Sequence, residues 1–165
     1  MILNILLTIF LVLLNGFFVA AEFSIVKVRS SQLQLRISTG SRLAAIAKKL
    51  TDNLDEYLSA TQLGITLASL GLGWIGEPVV AQIIDSIIQL FGFEISPELA
   101  HKISLPVAFI AITILHIVFG ELAPKSMAIQ KAEQVSLGIS IPLRLFYFIF
   151  KPFIWILNSF ANWLI

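Results

Sequence analysis

The chain has 165 residues, of which 58% are hydrophobic and only 13% charged, and its formal net charge is +1. Together with a mean hydropathy of +0.93, this composition excludes a water-soluble globular domain, because such a fold could not cover so much apolar surface. The absence of cysteine excludes disulfides, thiolate metal sites and cysteine nucleophiles. We therefore expect an all-α integral membrane protein that crosses the cell membrane, inner or plasma, several times.

The first predicted element is a transmembrane helix over about residues 3–28, which is long enough to cross a hydrocarbon core of about 30 Å. No Lys or Arg precedes Lys27, so the basic start of a cleaved signal peptide is missing, and we expect the helix to be retained. Six of the 11 basic residues follow in one short stretch: Lys27, Arg29, Arg36, Arg42, Lys48 and Lys49. Because segments rich in Lys and Arg normally stay in the cytoplasm, the N-terminus should face outside.

Short amphipathic helices at the cytoplasmic surface are predicted over about residues 31–50, where apolar residues recur at helical spacing. Leu43, Ala47 and Leu50 form the apolar side, and Thr39 and Gly40 mark a break before them. This pattern favours a solvated basic face near anionic lipid, and we expect no nucleic-acid partner.

The second crossing, over about residues 57–76, carries no charge but holds four glycines, at positions 64, 71, 73 and 76. Small residues let helix backbones approach closely, so we expect a packed crossing. A short interfacial helix on the outer side is predicted over about residues 78–92, with an apolar stripe that ends at Phe91. A third crossing over about residues 103–122 then returns the chain to the cytoplasmic side, near Lys125 and Lys131.

The last segment, about residues 134–165, is rich in aromatic residues and is interrupted by Pro142, Arg144, Lys151 and Pro152. Because aromatic side chains prefer the headgroup level, we favour a kinked belt helix along the inner interface, with a fourth crossing as the alternative. The predicted fold is thus a single domain over residues 1–165. It has three transmembrane helices, cytoplasmic juxtamembrane helices, an interfacial belt helix and a cytoplasmic C-terminus.

Two ionisable residues lie within the predicted crossings, Glu22 and Glu121, and each is a functional candidate because a charge inside a membrane is costly. Glu22 follows Asn15 by seven residues and Thr8 by fourteen, so these three side chains lie close to one helix face. The second crossing has a polar face of its own: Ser59, Gln62, Thr66 and Ser69. Two such faces can line one cavity, or their hydrogen bonds can hold the helices together, and both interpretations stay open.

The third crossing ends in the sequence GELAPK at residues 120–125. Pro124 has no N–H to bond the carbonyl of Gly120, so a free carbonyl should lie beside the carboxylate of Glu121. Mg²⁺ and Na⁺ take oxygen ligands of this kind, and the motif therefore predicts a cation site at a helix break. The alternative is a helix end at the interface, with Glu121 solvated and Lys125 reaching lipid phosphates, and spacing alone does not separate the two. A lone histidine such as His116 is more often a packing residue than a ligand, and we do not assign it to the site.

Three ordered stretches of the chain resemble one family: NGFFVAAEF at residues 15–23, LSATQLGITL at 58–67 and GELAPK at 120–125. They are similar to the transmembrane domain, also called DUF21, of the CorC/CNNM family of magnesium transporters, once described as haemolysin-like. The likeness covers essentially the whole chain. It implies a homodimer with three transmembrane helices, an outside N-terminus and export of Mg²⁺ that is coupled to entry of Na⁺. It also implies that cytoplasmic CBS domains, absent from this chain, belong to the full-length protein.

The resemblance further implies that a dehydrated Mg²⁺ is held by polar side chains and backbone oxygens, including the glutamate of the third-helix motif, here Glu121. This chain has Val19 and Ala21 where some relatives carry serines, and Thr66 and Ser69 where some carry asparagines, so the ligand set stays open. The candidate metal ligands are Glu121, Gly120, Glu22, Ser24, Gln62, Thr66 and Ser69.

Three functional hypotheses follow from the sequence. The first is a dimeric Mg²⁺ transporter in the lipid bilayer, with Na⁺ as a competing or coupled ion. The second is a membrane anchor for cytoplasmic domains that sense nucleotide or Mg²⁺, in which Glu22 and Glu121 are packing residues. The third, a membrane-lytic role, is disfavoured by the small number of crossings and by the lack of a cationic lytic helix. No nucleophile or phosphate-binding loop indicates an enzyme, and we expect none.

Overall fold

A computed structural model of the chain describes residues 2–90 and 96–164, and within these ranges every regular element is helical. In chain order the elements are α1 (Ile2–Lys27), α2 (Ser30–Ser38), α3 (Arg42–Asp52), α4 (Leu54–Leu90), α5 (Pro97–Leu115), a π-helical segment (His116–Leu122), α6 (Ala123–Gln130) and α7 (Ala132–Leu164). Four stretches of the described residues are long and apolar enough to cross a membrane: Ile2–Lys27, Leu54–Leu90, Glu98–Gln130 and Ala132–Phe160. The expectation of an all-α membrane protein is confirmed.

Helices α1 and α4 pack against each other in opposite directions, with small residues of α4 at the contact. A Cβ atom on Gly64 would lie 2.5 Å from the ring of Phe18, and one on Gly71 would lie 3.2 Å from the side chain of Leu11. Later residues of α4 thus meet earlier residues of α1, as in an antiparallel pair. The glycine at 73 is different, because a Cβ atom there would meet nothing within 4 Å.

The segment formed by α5, the π-helical residues and α6 runs alongside α1 in the same direction. Thr8 of α1 and Ile112 of α5 both approach Gly76 of α4. Further along both elements, a Cβ atom on Gly16 would lie 2.9 Å from Cγ of Pro124. The amino group of Lys125 lies 4.5 Å from the centroid of the Phe23 ring. Together, α1, α4 and the α5–α6 segment form an up-down-up bundle with α1 in contact with both partners.

Helix α4 continues without a break through residues 76–78, where the sequence predicts a separate interfacial helix over about residues 78–92. Pro78 lies inside the helix and is exposed. A proline removes only one helical hydrogen bond, and a membrane helix tolerates this loss when neighbouring contacts hold it straight. Residues 78–90 therefore extend α4, while Phe91 and the predicted end at residue 92 lie outside the described residues.

The predicted juxtamembrane region is two short helices, α2 and α3, which separate at Thr39 and Gly40. Gly40 has a φ of +89°, a left-handed conformation that favours glycine. Ser41 then caps α3, since its hydroxyl accepts a hydrogen bond from the N–H of Ala44. Leu33 of α2 and Ala47 of α3 are buried together with Leu137 of α7 packed against them.

Helix α7 packs first against the juxtamembrane helices and then against the beginning of α4. The guanidinium of Arg36 in α2 lies 2.6 Å from the carboxylate of Glu133. Further along, the rings of Tyr147 and Tyr57 are 4.7 Å apart, and Ser59 donates a 2.9 Å hydrogen bond to Oδ1 of Asn158. Residues 147–158 of α7 thus lie beside the first residues of α4.

Candidate cation site between α1, α4 and the π-helical segment

A buried asparagine connects three elements of the bundle. Asn15 of α1 is fully buried, and its amide nitrogen donates a 3.0 Å hydrogen bond to the carbonyl of Gly120 in the π-helical segment. The hydroxyl of Ser69 in α4 donates a 3.2 Å hydrogen bond to Oδ1 of the same asparagine. Buried polar groups in a membrane protein are costly unless they are paired, and this pairing fixes the relative position of the three elements.

The helix break that the sequence predicts at the third-crossing motif is absent, and a π-helical segment over His116–Leu122 takes its place. The N–H of Ala123 bonds the carbonyl of Val118, five residues earlier, which is the π-helical pattern. This wider turn brings the chain to Pro124, which has no N–H to donate. The predicted free carbonyl of Gly120 is instead occupied by the Asn15 amide. Single π-helical turns inside α-helices occur frequently at functional sites.

A side chain at position 120 would displace its neighbours in this arrangement. A Cβ atom on Gly120 would lie 2.8 Å from Cδ2 of His116 and 3.0 Å from Nδ2 of Asn15. Contacts this short require a neighbour to move. The glycine therefore lets the backbone carbonyl approach α1 closely.

A histidine links the buried pair to the predicted carboxylate. Nε2 of His116 lies 3.4 Å from the hydroxyl of Ser69 and 3.8 Å from Oε1 of Glu121. The side chain of His116 is 22% exposed, whereas that of Glu121 is 49% exposed. The polar groups thus form one connected set, from fully buried Asn15 outward to a half-exposed carboxylate. We call this set the polar junction: Asn15, Ser69, His116, Gly120 and Glu121.

The polar junction contains three of the seven predicted ligands, namely Gly120, Glu121 and Ser69. It also contains two residues that the candidate ligand set left out. The sequence predicts Asn15 only as part of the polar face of the first helix, and His116 only as a packing residue. The signal for Asn15 was available, because it opens the first family motif and lies on the same face as Glu22.

The other four predicted ligands lie apart from the junction. Glu22 is half-buried seven residues beyond Asn15, about 10 Å further along the helix axis. Ser24 is fully buried, and its hydroxyl donates to the carbonyl of Ala21 within its own helix. Gln62 is exposed, and exposed Thr66 donates to the carbonyl of Gln62. Among the described residues, no hydrogen bond or ion pair joins these four side chains to Glu121 or Gly120.

Within residues 2–90 and 96–164, no three His, Asp or Glu side chains gather in a group that could hold a metal ion. A cation at the polar junction would therefore meet one carboxylate and neutral oxygens, with one imidazole beside them. The oxygen donors suit a hard cation, and the set lacks the four ligands of a closed structural zinc site.

Comparisons with known proteins agree over nearly the whole chain. Residues 6–165 match the family described as the cyclin M transmembrane N-terminal domain. The UPF0053 protein YhdT of Bacillus subtilis is 50% identical over 152 residues, which are 92% of this chain and 32% of that protein. The UPF0053 protein YrkA of the same organism is 46% identical over 162 residues, or 98% of this chain and 37% of that protein. The chain thus spans about a third of the length of these relatives.

Proposed function

This chain belongs to the cyclin M transmembrane N-terminal domain family, and we propose that it is a Mg²⁺ transporter rather than an enzyme. The membership confirms the resemblance carried by the three sequence motifs. In our proposal the ion is exported, Na⁺ is the coupling ion, and the transporting unit is a homodimer. The multi-pass membrane character is established by the family and by the apolar helices.

The observation that carries the proposal is the polar junction. The Gly120 carbonyl lies in an otherwise apolar bundle and is met by the buried amide of Asn15. The carboxylate of Glu121 follows directly in the chain, and carbonyl, amide and carboxylate oxygens are the ligands that Mg²⁺ takes in proteins. In our proposal, the cation replaces the amide hydrogen as the partner of the Gly120 carbonyl, while Glu121 supplies the negative charge.

A single carboxylate is compatible with transport as well as with binding. Conduction needs a site that attracts the ion but also releases it. A junction built from one half-exposed carboxylate and neutral oxygens meets both conditions better than a cluster of several acids. Nε2 of His116 lies 3.8 Å from the carboxylate of Glu121. A cation that binds this carboxylate would have to displace the imidazole.

We further propose that three helices cross the membrane and that α7 lies as a belt at the inner interface. Asn158 follows Glu133 by 25 residues, about 37 Å along a straight helix. A crossing of that length would bring it to the far side of the bilayer, yet it bonds Ser59, only five residues after the start of α4. This contact supports the belt, with Pro142 and Pro152 as bends.

The same proposal places the N-terminus outside and the C-terminus in the cytoplasm. Six basic residues lie between positions 27 and 49, at the end of α1 that carries the juxtamembrane helices. Segments with many Lys and Arg residues favour the cytoplasmic side. Because the relatives are about three times as long as this chain, we propose that cytoplasmic CBS domains act as its regulatory partners in the full-length protein.

One observation favours the second candidate, a membrane anchor for cytoplasmic sensing domains. Asn15, Ser69 and the Gly120 carbonyl satisfy one another by hydrogen bonds without any ion. Such bonds also serve simply to hold membrane helices together. Measuring cation binding at the junction separates the two candidates.

The experiment is thermal unfolding of the purified chain in detergent with increasing Mg²⁺, repeated in the presence of Na⁺. An ion that binds only the folded state raises its stability with concentration. Glu121→Ala should remove this stabilisation and leave a folded protein. Glu98→Ala is the matched control, because the Glu98 side chain is 81% exposed and pairs with Lys102 of its own helix. If Mg²⁺ stabilises neither the wild type nor the control, the anchor is the better account.

A further inference from the structure

A basic cavity lies where α1 ends and α7 begins. It has a volume of about 450 Å³, and it is lined by side chains from the end of α1, the following turn, α2, the end of α6 and the start of α7. Three of its lining residues are cations: Lys27, Arg29 and Lys131. Among the described residues, none of the three lies within 4.0 Å of a carboxylate oxygen.

The one acidic residue of this cavity does not neutralise the cations. Glu133 pairs at 2.6 Å with Arg36 of α2, which is not among the lining residues. Three positive charges therefore converge on one cavity with no carboxylate left to balance them. The partner that such a cavity attracts is an anion.

An apolar groove of about 390 Å³ is lined by residues of α1, α6 and α7, together with Phe119 of the π-helical segment. On α1 it is lined from Leu13 to Ala20, on α6 by Pro124 and Met127, and on α7 from Val135 to Ile139. On α1 and α6 the groove residues precede the cavity residues in the chain, and on α7 they follow them. The two cavities thus follow one another along the seam between α1, α6 and α7. The α1 residues that line the groove belong to the 26-residue apolar span of that helix.

We infer that the cavity and the groove together bind one phospholipid with a net negative headgroup. The headgroup phosphate occupies the basic cavity, and an acyl chain lies in the apolar groove. Basic pockets between transmembrane helices at the cytoplasmic surface are suited to anionic lipid headgroups. A free phosphate would use only the first cavity, whereas a lipid accounts for the charge of one cavity and the apolar lining of the other. This inference does not depend on the proposed Mg²⁺ site.

Gly138 provides a way to close the groove without disturbing the headgroup cavity. It lines the groove, it is exposed, and a Cβ atom there would meet nothing within 4 Å. Gly138→Phe should therefore fold and fill the groove. Gly73→Phe is the matched control, because a Cβ atom at this exposed α4 glycine also meets nothing within 4 Å.

Removing one cation tests the headgroup cavity in the same way. Lys131→Gln deletes a lining charge with little change in size. Lys49→Gln is its control, because Lys49 is exposed in the same basic region but does not line the cavity. Loss of one of three cations near a lipid phosphate should weaken retention of the lipid about fivefold.

The test is native mass spectrometry of the purified chain in mixed micelles with equal amounts of phosphatidylglycerol and phosphatidylcholine. The wild type and both controls should retain phosphatidylglycerol preferentially. Lys131→Gln should reduce the retained fraction about fivefold, and Gly138→Phe should abolish it. Circular dichroism of each variant verifies that its helices are formed.

Three results would overturn the inference. One is equal retention of the two lipids, or retention that neither variant changes. Another is displacement of phosphatidylglycerol by inorganic phosphate or glycerol phosphate at equal concentration, seen both in the wild type and in Gly138→Phe. That result would reveal a site for free phosphate. The third is that Gly138→Phe converts a dimer to a monomer, as measured by light scattering, while lipid retention is unchanged. That result would identify the groove as a contact between two copies of the chain.

Discussion

Replacing Asn15 by alanine should destabilise the fold more than any other single loss of a polar side chain in α1. The change removes the side-chain donor to the Gly120 carbonyl and the acceptor of the Ser69 hydroxyl. Ser69 keeps a neighbour in His116 at 3.4 Å, so the Gly120 carbonyl is the group left unpaired. An unpaired buried acceptor costs about 1–3 kcal/mol. Asn15→Leu, which keeps the volume, should cost a similar amount.

The free energy of unfolding can be measured by titration with SDS and followed by circular dichroism. Asn4→Ala is the matched control, because Asn4 lies on the same helix and is exposed. It should change the stability by less than about 0.5 kcal/mol. An Asn15→Ala variant as stable as Asn4→Ala would refute the reasoning, since the hydrogen bond to Gly120 would then contribute nothing.

Two further substitutions test the packing of α4. Gly64→Ala places a Cβ atom 2.5 Å from the Phe18 ring, and it should lower the free energy of unfolding by about 1–3 kcal/mol in the same titration. Gly73→Ala should leave the free energy of unfolding unchanged or slightly higher. Equal effects of the two changes would show that α1 and α4 do not pack through Gly64. Ser59→Ala removes the hydrogen bond to Asn158 and should lower the free energy of unfolding by about 0.6–2 kcal/mol. It should not change the Mg²⁺ affinity, and a loss of affinity would place Ser59 in the ion site.

Hydropathy and charge were sufficient to predict the apolar helices, because the bilayer imposes the length and composition of anything that crosses it. The continuity of α4 through Pro78 was missed, because the uncharged stretch ends at Gly76 and an amphipathic stripe follows it. Whether one helix joins the two stretches depends on contacts that a sequence does not show. Whether α7 crosses the membrane does not follow from the sequence either, because its prolines and charges fit both an interfacial belt helix and a crossing.

The polar junction was predicted in part. The GELAPK motif identified Gly120 and Glu121, since the missing N–H of Pro124 follows from covalent structure alone. The partner of the Gly120 carbonyl could not be deduced, because Asn15 lies 105 residues away in the sequence.

The polar spacing on α4 was misleading for Gln62 and Thr66. Small residues such as Gly64 and Ala68 form its buried face, because close backbone approach decides how membrane helices pack. Polar residues on the flank of that face stay exposed. Ser69 reaches the junction because it follows Ala68 at the edge of the contact.

The central claim, that the polar junction carries Mg²⁺ across the membrane, is tested most directly by flux. The chain is reconstituted into liposomes that contain a Mg²⁺-sensitive dye, and wild type, Glu121→Ala and the Glu98→Ala control are compared at equal protein content. We predict Mg²⁺ movement in wild type and control and none in Glu121→Ala. Equal flux in all three, or no flux from a folded wild type, would contradict the account.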